Sequence, residues 1–313
     1  MAFGKCRSRF AAAPHKVAEK NQGGTGVLKW RIGRVTVTRV VEIEFNTRYR
    51  AEAPFIAEAT PDALKATPWL YPHFVRPEDG ALKVSIHALL VEAPGLRLVV
   101  DTCIGNDKPR GLVGNKPLAT PFLDELRQTG WERDSVGMVV CTHLHVDHVG
   151  WNTMLENGRW VPTFPKARYL IGRQEYEHWR GEDGAEPVAI MGDSVQPIFD
   201  AGLAELVEMD HRISPELRLV PTAGHTPGHV SVMIESEGET GMITGDIMHH
   251  PCQMAHPEWA PRGFDADRAA ALDTRRRVLD EVADRPILVI GTHFAAPTAG
   301  RVRRDGDAYR LES

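Results

Sequence analysis

A nearly uninterrupted apolar run over residues 136–142 leads directly into His143-Leu144-His145-Val146-Asp147-His148, and no other junction constrains the chain as much. A strand of that composition is suited to burial on both faces, as in a parallel sheet covered by helices. Four ligand-type side chains then crowd one turn at its carboxyl end. In a locally extended turn His143 and His145 project to one side while Asp147 and His148 bend toward a neighbouring point, so one short segment can serve two metal positions. The alternative is a polar loop capping the strand, and it is the poorer reading. Without a cation these side chains would repel one another or lie buried and unpaired.

Three more ligand-type residues stand after apolar segments: His225 beyond 217–221, Asp246 beyond 242–245, and His293 beyond 286–292. Together they complete a two-metal shell. His143, His145 and His225 would bind one ion and Asp147, His148 and His293 the second, with Asp246 bridging ions about 3.5–4 Å apart. Neutral imidazole suits zinc and iron, and carboxylate widens the choice to manganese or cobalt; two zinc ions are the first expectation. Structural zinc sites are usually closed by four ligands and rich in thiolate, whereas this set leaves positions open for water and substrate.

On these residues the chain resembles the metallo-beta-lactamase superfamily, whose HxHxDH signature stands here as His143 to His148. Gly224-His225-Thr226-Pro227-Gly228-His229 and Thr244-Gly245-Asp246 match later motifs, and Asp101 matches an aspartate at a strand end. The resemblance runs from residue 28 over nearly the whole chain. It implies an α/β fold, a four-layer αββα sandwich, with the metals at the edge between two similar halves. Asp101 is then expected to accept a hydrogen bond from a metal-binding histidine or a ligand loop, with Thr142 and His229 as supporting residues.

Two cations flanking one water lower its pKa from about 15.7 to about 7 in the zinc case, so the expected nucleophile is a metal-bridging hydroxide. Asp147 and Asp246 belong to the expected catalytic set, Asp246 as proton acceptor or shuttle. Lactonases of the superfamily carry a tyrosine three residues after the bridging aspartate; this chain has His249, the third expected catalytic residue. A histidine there can hydrogen-bond the substrate oxygen or protonate the leaving group. His250 follows beside it. Residues 246–253 and 292–297 look similar to the branch containing lactonases and methyl parathion hydrolase. A small ester or lactone is the expected substrate. Phosphotriester or beta-lactam hydrolysis, or an iron-dependent redox reaction on the same ligands, are the alternatives.

A net charge of −5 without a long basic stripe argues against nucleic acid as partner, and no apolar stretch approaches the roughly 20 residues of a membrane span. The four cysteines form no CxxC pair, which fits a reducing, cytoplasmic setting. The expected partner is a small-molecule substrate, and a homodimer is compatible with the resemblance. Residues 1–27 read as a flexible tail whose basic start faintly resembles an organellar targeting segment. Residues 28–313 read as one domain, 42% of the full chain being hydrophobic.

Alternation predicts a strand over 35–38, and apolar runs predict a hairpin of 88–92 with 96–100 across Pro94-Gly95. A helix is expected from Thr120-Pro121, capped by the threonine and ended at Gly130. Further strands are expected at 167–171, 217–220, 230–234, 242–244 and 286–290, helices at 174–179 and 267–283, and a closing hairpin at 304–307. Residues 51–80, as loops and short helices, and 149–165, as a loop, would shape the pocket. Trp151, Trp259, Phe264 and Phe294 are its expected walls.

Overall fold

The computed structural model describes residues 27–313; the expected tail and its targeting character fall almost wholly outside the described residues. The chain opens with β1 (Lys29–Ile32), β2 (Val35–Thr47), α1 (Pro61–Leu64), β3 (Leu82–Ala93), β4 (Leu96–Val100), α2 (Phe122–Gln128) and β5 (Met138–Cys141). A hairpin of β6 (Thr153–Glu156) and β7 (Arg159–Pro162) precedes β8 (Arg168–Gly172), α3 (Arg173–Trp179), α4 (Ala185–Ile190), α5 (Gln196–Asp200) and β9 (Ala204–Val207). The second half contains β10 (Leu217–Pro221), β11 (Val230–Ser236), β12 (Glu239–Ile243), α6 (Cys252–Ala255), α7 (Arg268–Val282), β13 (Ile287–Ile290), β14 (Ala299–Asp305) and β15 (Ala308–Glu312).

These strands form a seven-stranded sheet, β1-β2-β3-β4-β5-β8-β9, and a six-stranded sheet, β10 to β15 in chain order. Period-2 alternation explains why both sheets are covered twice. On β3, Ile86, Ala88 and Leu90 pack outward toward Phe122, Leu126 and Trp179 of the helices, whereas Leu89 and Val91 pack inward against Val232, Ile243 and Ile290 of the other sheet. A third apolar layer joins the outer face of the second sheet to Val278, Leu279 and Val282 of α7. Three apolar seams between four layers make the expected αββα sandwich.

Several local expectations change in the tertiary setting. The strand read over 35–38 runs on to Thr47, with its register shifted between Val41 and Ile43. That irregularity frees Glu42, whose carboxylate accepts from the Ile104 and Gly105 amides and from the Trp151 indole. Thr120 does not cap α2: its hydroxyl turns to Asn106 and Glu42, and Pro121 holds the cap position without a side-chain bond. Residues 149–165 are not a plain loop, because Asn157-Gly158, both at positive φ, supply the tight turn of the β6–β7 hairpin. The helix over 267–283 forms as read, with Asp267 capping through the Ala269 and Ala270 amides.

Candidate metal centre

Every expected ligand segment lies at the same edge of the sandwich. β4 and β5 run parallel, as do β12 and β13, so Asp101, the 143–148 turn, Asp246 and His293 all emerge from carboxyl ends facing one way. The two sheets are stitched together there. The Val230 amide donates to the Thr142 carbonyl, and the Ser85 amide donates to the His293 carbonyl.

The side chains converge into two groups, each able to hold a divalent metal ion: His143, His145, His225 and Asp246, and Asp147, His148 and His293. Within each group the offered ligand atoms all lie within 4.8 Å of one another. Asp246 Oδ2 joins them, at 3.5 Å from His225 Nε2, 3.7 Å from His143 Nε2, and 3.2 Å from both His148 Nε2 and His293 Nε2.

Hydrogen bonds at the outer nitrogens decide what faces inward. His148 Nδ1 donates to Asp101 Oδ2 (2.9 Å), His225 Nδ1 to Asp265 Oδ1 (3.0 Å) and His293 Nδ1 to the Ser85 carbonyl (3.1 Å). The Thr142 hydroxyl donates to Asp101 and so accepts from His143 Nδ1, 3.1 Å away. Each Nε2 therefore carries its lone pair toward the centre. There His145 Nδ1 lies 2.9 Å from His143 Nε2 and 2.8 Å from His225 Nε2, and His148 Nε2 lies 3.2 Å from His293 Nε2. Lone pairs facing one another at such distances repel unless a cation lies between them, and Asp246 Oδ1 is buried with no hydrogen-bond partner. This donor set fits metal ions.

Electrostatics agree for the three histidines of the first group. Burial pushes His143, His145 and His225 well below the ordinary histidine range, keeping the rings neutral as ligands must be. Burial acts the same way on His148 and His293, but Asp246, with Asp147 adding, outweighs it and raises both. Negative charge concentrated around those two rings is met equally by protons or by a divalent cation.

His229 stands behind the centre. Burial pushes it down to about 4, and its Nε2 accepts from the Asp246 amide at 2.8 Å, so it holds the loop and leaves Asp246's carboxylate free. Residues without a local motif complete the frame. The buried Glu175 carboxylate accepts from the Leu144 and Gly228 amides (3.0 Å each) and from the Trp179 indole (2.7 Å), tying the 143–148 turn to the His225 loop. Glu175, Asp265 and Ser85 escaped the sequence reading; the one available signal was an acidic residue on a helix immediately after a buried strand.

His249 sits over the second half of the centre, its Nε2 3.3 Å from Asp246 Oδ2 and its ring parallel to His293 at 5.7 Å. Both ring nitrogens are buried without a partner, while Gln253 Oε1 accepts from its backbone amide. His250 is turned away, bonded to the Phe74 carbonyl and the Cys252 amide. Of the four expected wall aromatics only Phe264 meets this corner, edge-on to His249 at 5.7 Å, joined by Phe55 at 6.3 Å. Trp151 instead stacks on Phe122 in the core, Trp259 stacks on His256, and Phe294 is fully buried.

Residues 82–293, more than half of the chain, match the Metallo-beta-lactamase superfamily. The chain belongs to the metallo-beta-lactamase superfamily. An N-acyl homoserine lactonase of Bacillus thuringiensis is 25% identical over 178 residues, 56% of this chain and 64% of that protein. The match thus spans less than two thirds of the lactonase's length. A probable metallo-hydrolase of Mycobacterium tuberculosis is 28% identical over 179 residues, 52% of this chain and 57% of that protein. Among solved structures, AidC, a dizinc quorum-quenching lactonase, superposes with a TM-score of 0.75 at 20% identity, covering 92% of this chain and 98% of that one. The hydrolase AbOPH superposes at 0.73 and 22% identity, covering 93% and 98%. Both share the metallo-beta-lactamase fold with this chain.

Proposed function

We propose that this protein is a dinuclear metal-dependent hydrolase of small lactones or esters, with zinc at both positions. The observation that carries the proposal is the inward convergence of ring lone pairs on one shared carboxylate, Asp246. The lactonase relatives support lactones within that class, and esters share the same carbonyl chemistry. When bound, a pair of divalent ions supplies Lewis acidity and a water ionised near neutral pH.

The chain's own residues do the rest. His143, His145 and His225 would hold one ion, Asp147, His148 and His293 the other, with Asp246 between the two groups. Asp246 also accepts the proton released as water attacks the carbonyl carbon. Its Oδ1 is free for that role. His249 reaches into the centre with unpartnered nitrogens, positioned to hydrogen-bond the substrate oxygen or hand a proton to the departing alkoxide. Phe55 and Phe264 screen that corner from water and offer an apolar face to the substrate.

Residues 28–313 act as one unit in this proposal. Among the described residues no helix is long and apolar enough to cross a membrane, and Cys103, Cys141 and Cys252 are buried and free. A cytoplasmic location, and a homodimer measurable by light scattering, are part of the same proposal.

A hydrolysis screen of zinc-loaded protein against lactones, aryl esters, phosphotriesters and beta-lactams tests the assignment. Lactones or esters should turn over fastest, and chelation should abolish the reaction. His249→Ala should lower kcat by about 10²-fold, the lower end of general acid–base contributions, with both ions retained. Unchanged kcat on every accepted substrate would remove His249 from the mechanism. A protein active only on phosphotriesters or beta-lactams would overturn the substrate class.

A further inference from the structure

His225 is the only ligand of the first group whose outer nitrogen meets a carboxylate, and that carboxylate belongs to no superfamily motif read above. Asp265 lies in the loop before α7, buried to 3% side-chain exposure, with Oδ1 3.0 Å from His225 Nδ1. Its other oxygen has no hydrogen-bond partner and faces Arg275 Nη2, itself unpartnered, at 3.8 Å. A buried carboxylate and a buried guanidinium with no other outlet for those atoms form a charge pair.

Arg275 is held on every other side. Its Nε donates to the Ile247 carbonyl, one residue past Asp246, and its Nη1 to the Pro257 and Trp259 carbonyls. The backbone reinforces the same alignment. Ala266 and Asp267 donate to the His225 and Gly224 carbonyls. Gly224, at φ 135, packs so closely on α7 that an added Cβ would lie 2.3 Å from the Ala271 nitrogen. The His225 loop, the Asp246 loop and α7 are therefore locked together around one buried arginine.

The structure assigns to Asp265, braced by Arg275, the positioning of His225 and, through it, selective retention of the first of the two ions. The assignment rests on the dinuclear reading proposed above. A neutral amide cannot replace this carboxylate. In either orientation its N–H groups would confront His225 Nδ1–H or Arg275, so the ring would lose its fixed tautomer or its anchor.

The experiment titrates the zinc-loaded full chain with a chromogenic chelator, comparing wild type, Asp265→Asn and His225→Ala, and records the melting temperature of each metal-free protein. In Asp265→Asn one ion should leave at about 10–100-fold lower chelator concentration, the range typical for groups behind a ligand, while the other stays as tight as in wild type. Its metal-free melting temperature should fall, because the Arg275 charge is left unpaired, so the readout that decides is the difference between the two ions within the same variant. His225→Ala should lose the same ion outright, and the visible absorption of cobalt(II)-loaded Asp265→Asn at limiting metal should fall to that of one ion. If Asp265→Asn holds both ions like wild type, the proposal is overturned and the dinuclear reading stands. Equal weakening of both ions overturns it too by making Asp265 a general folding residue. A wild-type protein that binds fewer than two ions sinks the dinuclear reading and this assignment with it.

Discussion

Asp246→Ala is expected to lower turnover by about 10³-fold or more, the several kcal/mol associated with metal-assisted charge stabilisation, and to leave the purified protein short of metal. Asp246 is the one carboxylate of the two groups that lies close to histidines of both, with five histidine nitrogens, His249's among them, between 3.2 and 3.7 Å of its Oδ2. Without it, two adjacent cations would face each other across neutral rings. Only Asp147 would remain to offset their charge. The fold itself should survive, because the Asp246 backbone is fixed by His229 Nε2 and by Arg275 at Ile247, independently of the carboxylate. Elemental analysis and rate measurement on the same preparation check both halves. Full turnover with two ions per chain would refute the bridging role.

Glu175→Ala should produce the largest loss of stability. Three buried N–H donors, from Leu144, Gly228 and Trp179, would lose their acceptor together. A buried donor left unsatisfied costs about 1–3 kcal/mol, so the variant should lose roughly 3 kcal/mol or more. For a chain of this size that lowers the melting temperature by at least roughly 5 °C. Space cannot relax easily there, since an added Cβ on Gly228 would already lie 2.3 Å from the Glu175 nitrogen. Glu175→Gln should fall between, because one amide oxygen can still serve the Leu144 and Trp179 donors while its N–H groups oppose Gly228. Denaturant unfolding of metal-free protein separates this effect from metal binding. A Glu175→Ala variant within about 0.5 kcal/mol of wild type, the scatter of ordinary surface changes, would show that water takes over these donors.

The difference between Asp246 and Glu175 explains what could be read in advance. Ligands of the 143–148 turn are adjacent in the chain because one strand end delivers four of them at once, so their pattern is visible without a fold. His225, Asp246 and His293 each follow an apolar run, and the same strand-end logic exposes them. Glu175 and Asp265 act through partners 31 and 40 residues away in sequence; Glu175 is marked locally only by its place on a helix just after a buried strand, and nothing local marks Asp265. Trp151 fails as a wall for a related reason: nearness to the ligand turn in sequence sends it under the turn, onto Phe122, with its indole bonded to Glu42. Phe55 shows the converse, reaching His249 from a stretch with no readable period.

Periodicity and strand-end chemistry by themselves pointed to sheets covered by helices and to the seven candidate ligands, because each is written in residues close together along the chain; the superfamily resemblance added the four-layer order and singled out His249. Tertiary structure alone decided which nitrogen of each ring faces inward and which carboxylates hold the rings there. It also decided which aromatics border the centre. Those outcomes depend on hydrogen bonds between segments tens to hundreds of residues apart, and such pairings exist only once two sheets have closed their shared apolar face.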